Sequence, residues 1–402
     1  MATVSHPSSV GDLVSRFDSF VATFLPQVAK AERTLLDEYF RRETVPVVIY
    51  GFGDIGRRLL AGLAKLGATP LAIIDQRLAR TQDNIEGIPC VSVEEGCKAF
   101  GKNALFIVAV FNQSGDRAFD AIRDVLRRHG AEKVVYFMPL FWRHPDIFLP
   151  YYCFDRPSRL ASVQSKLLQV FQNLADRDSK TSFAFHLYQL ISPAPEITLE
   201  ATQQDDTYFP ADLLNLSSRE AFLDGGAFNG VTLRRFMSRC KDFDSYLGIE
   251  PDPVNFRKLQ EYVQGIRSSV SGRLEIRSCA IGREDGQIRF AAAGTVSSAA
   301  NLSGEISVPI VPLAELAEGL QPTMIKLDIE GYELGALEGS ISCLQRGRPK
   351  LAICLYHAQS HFWEIPLTVL NNLADYRLYM RRHKEHLDDF VLYALPQSPC
   401  AS

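Results

Sequence analysis

Between Phe222 and Gly230 the chain reads Phe-Leu-Asp-Gly-Gly-Ala-Phe-Asn-Gly, an apolar approach that ends in an acid and then loosens into glycines. Such a run is the end of a buried strand entering a ligand loop. Glycines accept positive φ and let a ligand lie against bare backbone, and a helix beginning after Gly230 presents N–H groups with no partner inside the helix. Asp224 narrows the choice of ligand. A carboxylate at the tip of a first strand repels a pyrophosphate but complements an ammonium and a sulfonium, the charge pattern of S-adenosylmethionine. The alternative is an ordinary strand-to-helix turn with an N-capping acid.

A second glycine loop lies upstream. The β-rich run Val45 to Tyr50 leads into Gly51-Phe52-Gly53-Asp54-Ile55-Gly56, then a helical stretch from Arg57 to Leu66, Gly67 as its cap, and a strand ending Ile73-Ile74-Asp75. This is the strand, loop, helix, strand context of a Rossmann-like fold, in which Gly51, Gly53 and Gly56 meet a phosphate and Asp75 holds a ribose diol. Asp54 would compete with a pyrophosphate for the helix N-terminus, and the alternation ends after Val134 to Phe137 without a half that carries catalytic groups. A nucleotide or nucleotide-sugar site and an empty scaffold both fit. Strands are expected at Ile88 to Val93, Ala104 to Phe111 and Lys133 to Phe137, with a helix from Phe119 to Arg128 closed by Gly130.

At 402 residues the chain is too long for one ordinary core. The expected layout is a helical segment over 1–42 interrupted near Pro26, a Rossmann-like domain over 43–140, an aromatic helical connector over 141–218, and a second α/β domain over 219–402. A formal charge of -4 and 46% hydrophobic residues describe a soluble globular protein without the basic excess of a nucleic-acid binder. The first ten residues lack the charged and apolar blocks of a secretory signal, and the longest apolar run, Ala104 to Phe111, is too short to span a bilayer. The eight cysteines include no C-x-x-C pair, as in a reducing cytoplasm without a zinc site. A cytoplasmic location is therefore expected, with a small-molecule or sugar-linked substrate and the oligomeric state open.

In the second domain the run Asp244 to Ile249 ends in Glu250-Pro251-Asp252-Pro253. Glu250 is one βαβ step beyond the glycines, where an acid accepts both hydroxyls of a ribose, and Asp252 caps the next helix with Pro253 in its first turn. Arg273 to Arg277 is a third strand, and Cys279-Ala280-Ile281-Gly282 reads as a turn whose backbone meets an adenine edge. The fourth strand, Met324 to Leu327, finishes in Asp328-Ile329-Glu330-Gly331-Tyr332-Glu333. Three carboxylates at the mouth of a parallel sheet are costly unless a cation or a reaction uses them. Asp328 is the functional candidate, and Glu333 reads as a first-turn acid on the following helix. A fifth strand, Leu351 to Tyr356, brings His357 to the same rim, while His361 is expected at the surface. Leu378 to Arg381 and Phe390 to Ala394 complete the sheet as an antiparallel pair.

These residues resemble the FkbM-type methyltransferases. The resemblance rests on the Asp224 loop, on Glu250-Pro251-Asp252-Pro253-Val254-Asn255-Phe256, on Ala280-Ile281-Gly282, and above all on Lys326-Leu327-Asp328-Ile329-Glu330-Gly331-Tyr332-Glu333, similar to that family's K-I-D-V-E-G-x-E signature. It covers roughly 222–395. It implies a class I methyltransferase sheet beside the Rossmann-like domain, two doubly wound α/β bodies in all, with S-adenosylmethionine as donor and O-methylation of a sugar or natural-product hydroxyl. Phe228 and the Tyr356-His357 pair depart from the family's common pattern.

The expected cofactor set is Asp224, Gly225, Gly226, Gly230, Glu250 and Ala280. Asp328 or His357 takes the proton of the attacking hydroxyl, and Asp328 with Glu330 would hold a divalent cation if one takes part. The competing readings are an NAD(P)-dependent oxidoreductase centred on Gly51 to Gly56 and a sugar-nucleotide-binding protein without turnover.

Overall fold

The computed structural model describes residues 7, 9–40, 45–111, 118–197, 207–290, 306–383 and 390–397. They form two compact units. Among the described residues the first takes in those up to 171 and 180–197, and the second takes in 172–179, 207–383 and 390–397. The stretch expected as a connector is thus shared between the two.

In the first unit, β1 (Val47–Tyr50), β2 (Ala72–Ile74), β3 (Asn84–Ile85), β4 (Ile88–Val91), β5 (Leu105–Val108) and β6 (Lys133–Tyr136) make one sheet in the order β3-β4-β2-β1-β5-β6. All neighbours are parallel except the β3–β4 hairpin. The helices Asp54–Lys65, Val93–Phe100 and Phe119–Arg128 make the crossovers. Buried on both faces, β1 and β5 read as unbroken apolar runs, and the order in which successive strands are laid down reverses between these two parallel neighbours, the switch point of a Rossmann-type sheet.

The N-terminal segment is helical from Val10 to Ala31, but its irregularity precedes Pro26. The ladder widens to π spacing over Phe20–Phe24, and Pro26 stands directly after it in the first turn of Leu25–Ala31. Phe17 stacks on Phe171 at 4.0 Å between ring centroids, so part of the aromatic run downstream supplies this unit's core.

The second unit is built on β7 (Ala221–Gly225), β8 (Ser245–Ile249), β9 (Arg273–Arg277), β13 (Met324–Leu327), β14 (Lys350–Cys354), β15 (Tyr376–Arg382) and β16 (Phe390–Pro396), in the order β15-β16-β14-β13-β7-β8-β9. Five strands are parallel, and the last two pair antiparallel, as the resemblance implied. A separate small sheet, β10 (Ala280–Gly282), β11 (Gly286–Phe290) and β12 (Ile306–Pro312), runs in the order β10-β12-β11. The expected turn at Ala280-Ile281-Gly282 is therefore a strand. Its partner, Ile310 to Pro312, is some thirty residues away, so local sequence carries no sign of the pairing.

The switch point of the large sheet lies between β7 and β13. Phe222, Phe209, Phe236 and Tyr246 fill the layer beside it, and the carboxyl ends of β7, β8, β13 and β14 open on one rim.

Candidate functional site

Strand register assembles the centre of this rim. Asp224 on β7 stands opposite Lys326 on β13 and Gly248 on β8. Side chains directly opposite share a face, so the carboxylate and the ammonium meet, with Lys326 Nζ 3.1 Å from Asp224 Oδ1. Gly248 leaves space that a Cβ would take from the Tyr246 phenol, and Tyr246 donates to Asp224 Oδ2 at 2.9 Å. Lys326 also donates to the carbonyls of Gly225 (3.0 Å) and Gly226 (2.6 Å), which makes it a brace under the glycine loop. Burial alone would lower the Lys326 pKa, but Asp224 and Asp328 outweigh it and hold the ammonium charged.

This pairing corrects the expected role of Asp224. Its side chain is fully buried and its charge is answered by Lys326 inside the protein, so it shapes the loop rather than facing a cationic ligand directly. Burial pushes its carboxyl up, against the opposing pull of Lys326 and Tyr246.

The loop itself takes the expected form. Gly226, Phe228 and Gly230 have φ of 78°, 51° and 84°, and a Cβ on Gly226 would lie 1.9 Å from the Asp328 carbonyl oxygen. Ile281 lies against Gly225, which brings the Ala280 segment to the same loop. Glu250, at the tip of β8, accepts from the Phe228 N–H at 2.8 Å through Oε2 and from the Asp252 N–H at 2.9 Å through Oε1. Asp252 caps Pro253–Ile266 by accepting from Val254 and Asn255. Burial pushes the Glu250 carboxyl up to about 7 despite those two N–H donors.

Asp328 leaves the end of β13 with its carboxylate held from two sides. Tyr208 donates to Oδ2 at 2.7 Å and Tyr356 to Oδ1 at 2.9 Å, and His357 Nε2 is 3.5 Å from Oδ1. Burial would raise this carboxyl, but Lys326 and His357, with the two phenols, hold it below the usual range. Tyr208 also lays its ring 4.9 Å from Lys326 Nζ.

Glu333 is more than a first-turn acid. It is fully buried, accepts from the Ile329 N–H (2.8 Å) and the Gly331 N–H (3.0 Å), and lies 2.6 Å from His357 Nδ1. It thereby ties down a turn in which Glu330 and Gly331 both have positive φ. His361, expected at the surface, is buried at the start of helix His361–Asn372, with Nδ1 3.4 Å from Glu333 Oε2. Burial drives the Glu330 carboxyl up to about 7. His357 is raised to about 9, because Glu333, Asp328 and Glu330 outweigh its desolvation.

Among the described residues the group close enough to share a cation is Asp328, Glu333 and His357, with ligand atoms within 4.8 Å of one another. It contains Glu333 in place of the expected Glu330. The 2.6 Å contact from His357 to Glu333 is a hydrogen bond, and each Glu333 oxygen also accepts a backbone N–H group.

In the first unit Gly51 has φ 88°, and Gly53 caps the helix Asp54–Lys65 without a side-chain hydrogen bond. Asp75, expected at a ribose, instead accepts from the N–H groups of Phe52, Arg77 and Leu78, and so ties its own loop together.

Residues 224–387 match the family model described as the methyltransferase FkbM domain. Among solved structures the chain is similar to the methyltransferase FkbM from Methylobacillus flagellatus KT, at 20% identity and a TM-score of 0.75, over 94% of this chain and 100% of that one. That likeness bears on the fold alone. A fibrillarin/Nop5p complex aligns at 13% identity over 46% of this chain and 76% of its own, with a TM-score of 0.31. Fibrillarin from Aeropyrum pernix with bound S-adenosyl-L-methionine aligns at 12% over 46% and 70%, with a TM-score of 0.27. No curated protein matches the chain. Residues 224–387, which carry the glycine loop, Glu250 and the cluster from Asp328 to His357, are thus the part of the chain that matches the methyltransferase FkbM domain.

Proposed function

We propose that the chain is an S-adenosylmethionine-dependent O-methyltransferase acting on a hydroxyl of a sugar or natural product. The observation that carries this reading is the placement of Glu250. Its carboxylate stands at the end of β8, hydrogen-bonded to the Phe228 N–H of the glycine loop, one strand from the switch point. A ribose held there by its two hydroxyls would set the rest of the nucleoside along Gly225, Gly226 and Gly230 and beside the Ala280 segment. Asp224 would act on the cofactor through Lys326 and the loop.

A sulfonium methyl group is already activated, so the protein has mainly to align a hydroxyl with it and to receive a proton. Asp328 and His357 are the groups that reach the rim for that work. As the oxygen–methyl bond forms, the carbon–sulfur bond breaks, its electron pair stays on sulfur as a neutral thioether, and the hydroxyl proton passes to the protein.

The test is Glu250→Ala. It should weaken binding of S-adenosylhomocysteine by about 1–3 kcal/mol while the fold survives. Unchanged affinity in a folded variant would take Glu250 out of the site.

A further inference from the structure

We propose that Glu333 is the positioning residue of the acceptor side: it holds the Nδ1 proton of His357, leaving Nε2 as the ring atom turned to Asp328 and Glu330, where the acceptor hydroxyl gives up its proton. The inference rests on the methyl-transfer reading above and adds to it which ring nitrogen works and what sets it.

The geometry is specific. Glu333 is fully buried and accepts from two backbone N–H groups, which favours its ionised, acceptor-only form. A ring nitrogen 2.6 Å from such an oxygen must carry a hydrogen. The proton on Nδ1 is therefore assigned from its partner. Nε2 then lies 3.5 Å from Asp328 Oδ1 and 3.8 Å from Glu330 Oε2, both on the turn that Glu333 itself closes. One side chain thus fixes the tautomer of the histidine and the position of the carboxylates it faces.

The titratable groups around the ring come from every neighbouring element: Asp328, Glu330 and Glu333 from the turn after β13, Tyr356 beside it with ring centroids 4.3 Å apart, and His361 across Glu333. Burial drives His361 below its ordinary value, so it adds little positive charge at neutral pH. The three carboxylates raise His357. In methyl transfer, the neutral ring, populated as the pH rises toward about 9, would take the hydroxyl proton on Nε2 as the new oxygen–carbon bond forms and the sulfonium becomes a thioether, with Nδ1 still bonded to Glu333.

The experiment is nitrogen-15 NMR of histidine-labelled full-length protein across its pH titration, followed by the same measurement on Glu333→Gln. In the unmodified chain His357 should lose its Nε2 proton on titration and keep the proton on Nδ1. In the variant the midpoint should fall by about one pH unit or more, with mixed tautomers above it. A neutral wild-type ring protonated on Nε2 would overturn the proposal, whether or not the variant folds. So would a folded Glu333→Gln whose His357 titrates unchanged. Neither readout needs cofactor or acceptor, so failure here is distinct from failure to bind S-adenosylhomocysteine.

Discussion

Lys326 and Asp224 stand opposite each other on neighbouring parallel strands, 3.1 Å apart, and neither side chain is more than 1% exposed. The pair lies directly under the glycine loop, and the same ammonium also donates to the carbonyls of Gly225 and Gly226. Removing one partner leaves a buried charge without its counter-charge. Lys326→Met should therefore cost about 3–5 kcal/mol in urea unfolding, and adding Asp224→Asn should recover part of it. Equal stability of the single variant and the unmodified chain would show that the pair does not brace the loop.

Gly226→Ala tests the close approach of loop and turn. The backbone is at φ 78°, and the new methyl carbon would lie 1.9 Å from the Asp328 carbonyl oxygen. A loss of about 1–3 kcal/mol in stability is expected, together with weaker binding of S-adenosylhomocysteine by calorimetry. A variant as stable as the parent with the same affinity would mean that the loop relaxes freely.

Much of this site is legible in the sequence. Met324–Leu327 forms the strand expected from its apolar run, and the glycines at 226 and 230 take the positive φ that only their identity announces. The ion pair under the loop is not legible, because Lys326 and Asp224 are about a hundred residues apart and only strand register joins them. Glu333 resembles any acid opening a helix; what sets it apart is burial and a histidine that returns to it one strand later. His361 looks polar in isolation, yet it begins a helix whose Phe362, Trp363 and Ile365 are buried, and it goes inward with them. The strand β10 reads as a turn because its partner, β12, lies some thirty residues downstream.

Asp328→Asn should reduce methyl transfer by about a hundredfold or more, while affinity for S-adenosylhomocysteine changes far less. The carboxylate lies beside His357 and under two phenols, apart from the Glu250 subsite. Transfer of labelled methyl groups to a panel of hydroxylated sugars and natural products measures it. Normal turnover in the variant would show that His357 receives the proton without help from the Asp328 carboxylate.

Cofactor affinity should depend on pH through Glu250, whose carboxyl is pushed up to about 7. The ionised form accepts both ribose hydroxyls, whereas protonation puts a hydrogen on one acceptor. Affinity should thus be greatest above that value and fall as the pH drops through it, and Glu250→Gln should flatten the profile. A pH-independent affinity from 5.5 to 8.5 (a window of about 1.5 units either side) would contradict the assignment.

The most direct measurement of the central claim is calorimetric titration of the full-length protein, separately, with S-adenosylhomocysteine and with NAD. The account predicts saturable binding of S-adenosylhomocysteine that Glu250→Ala weakens, and no comparable binding of NAD. Binding of NAD with no response to S-adenosylhomocysteine would contradict it, because the glycine loop, Glu250 and the Asp328 turn would then be a scaffold for another ligand.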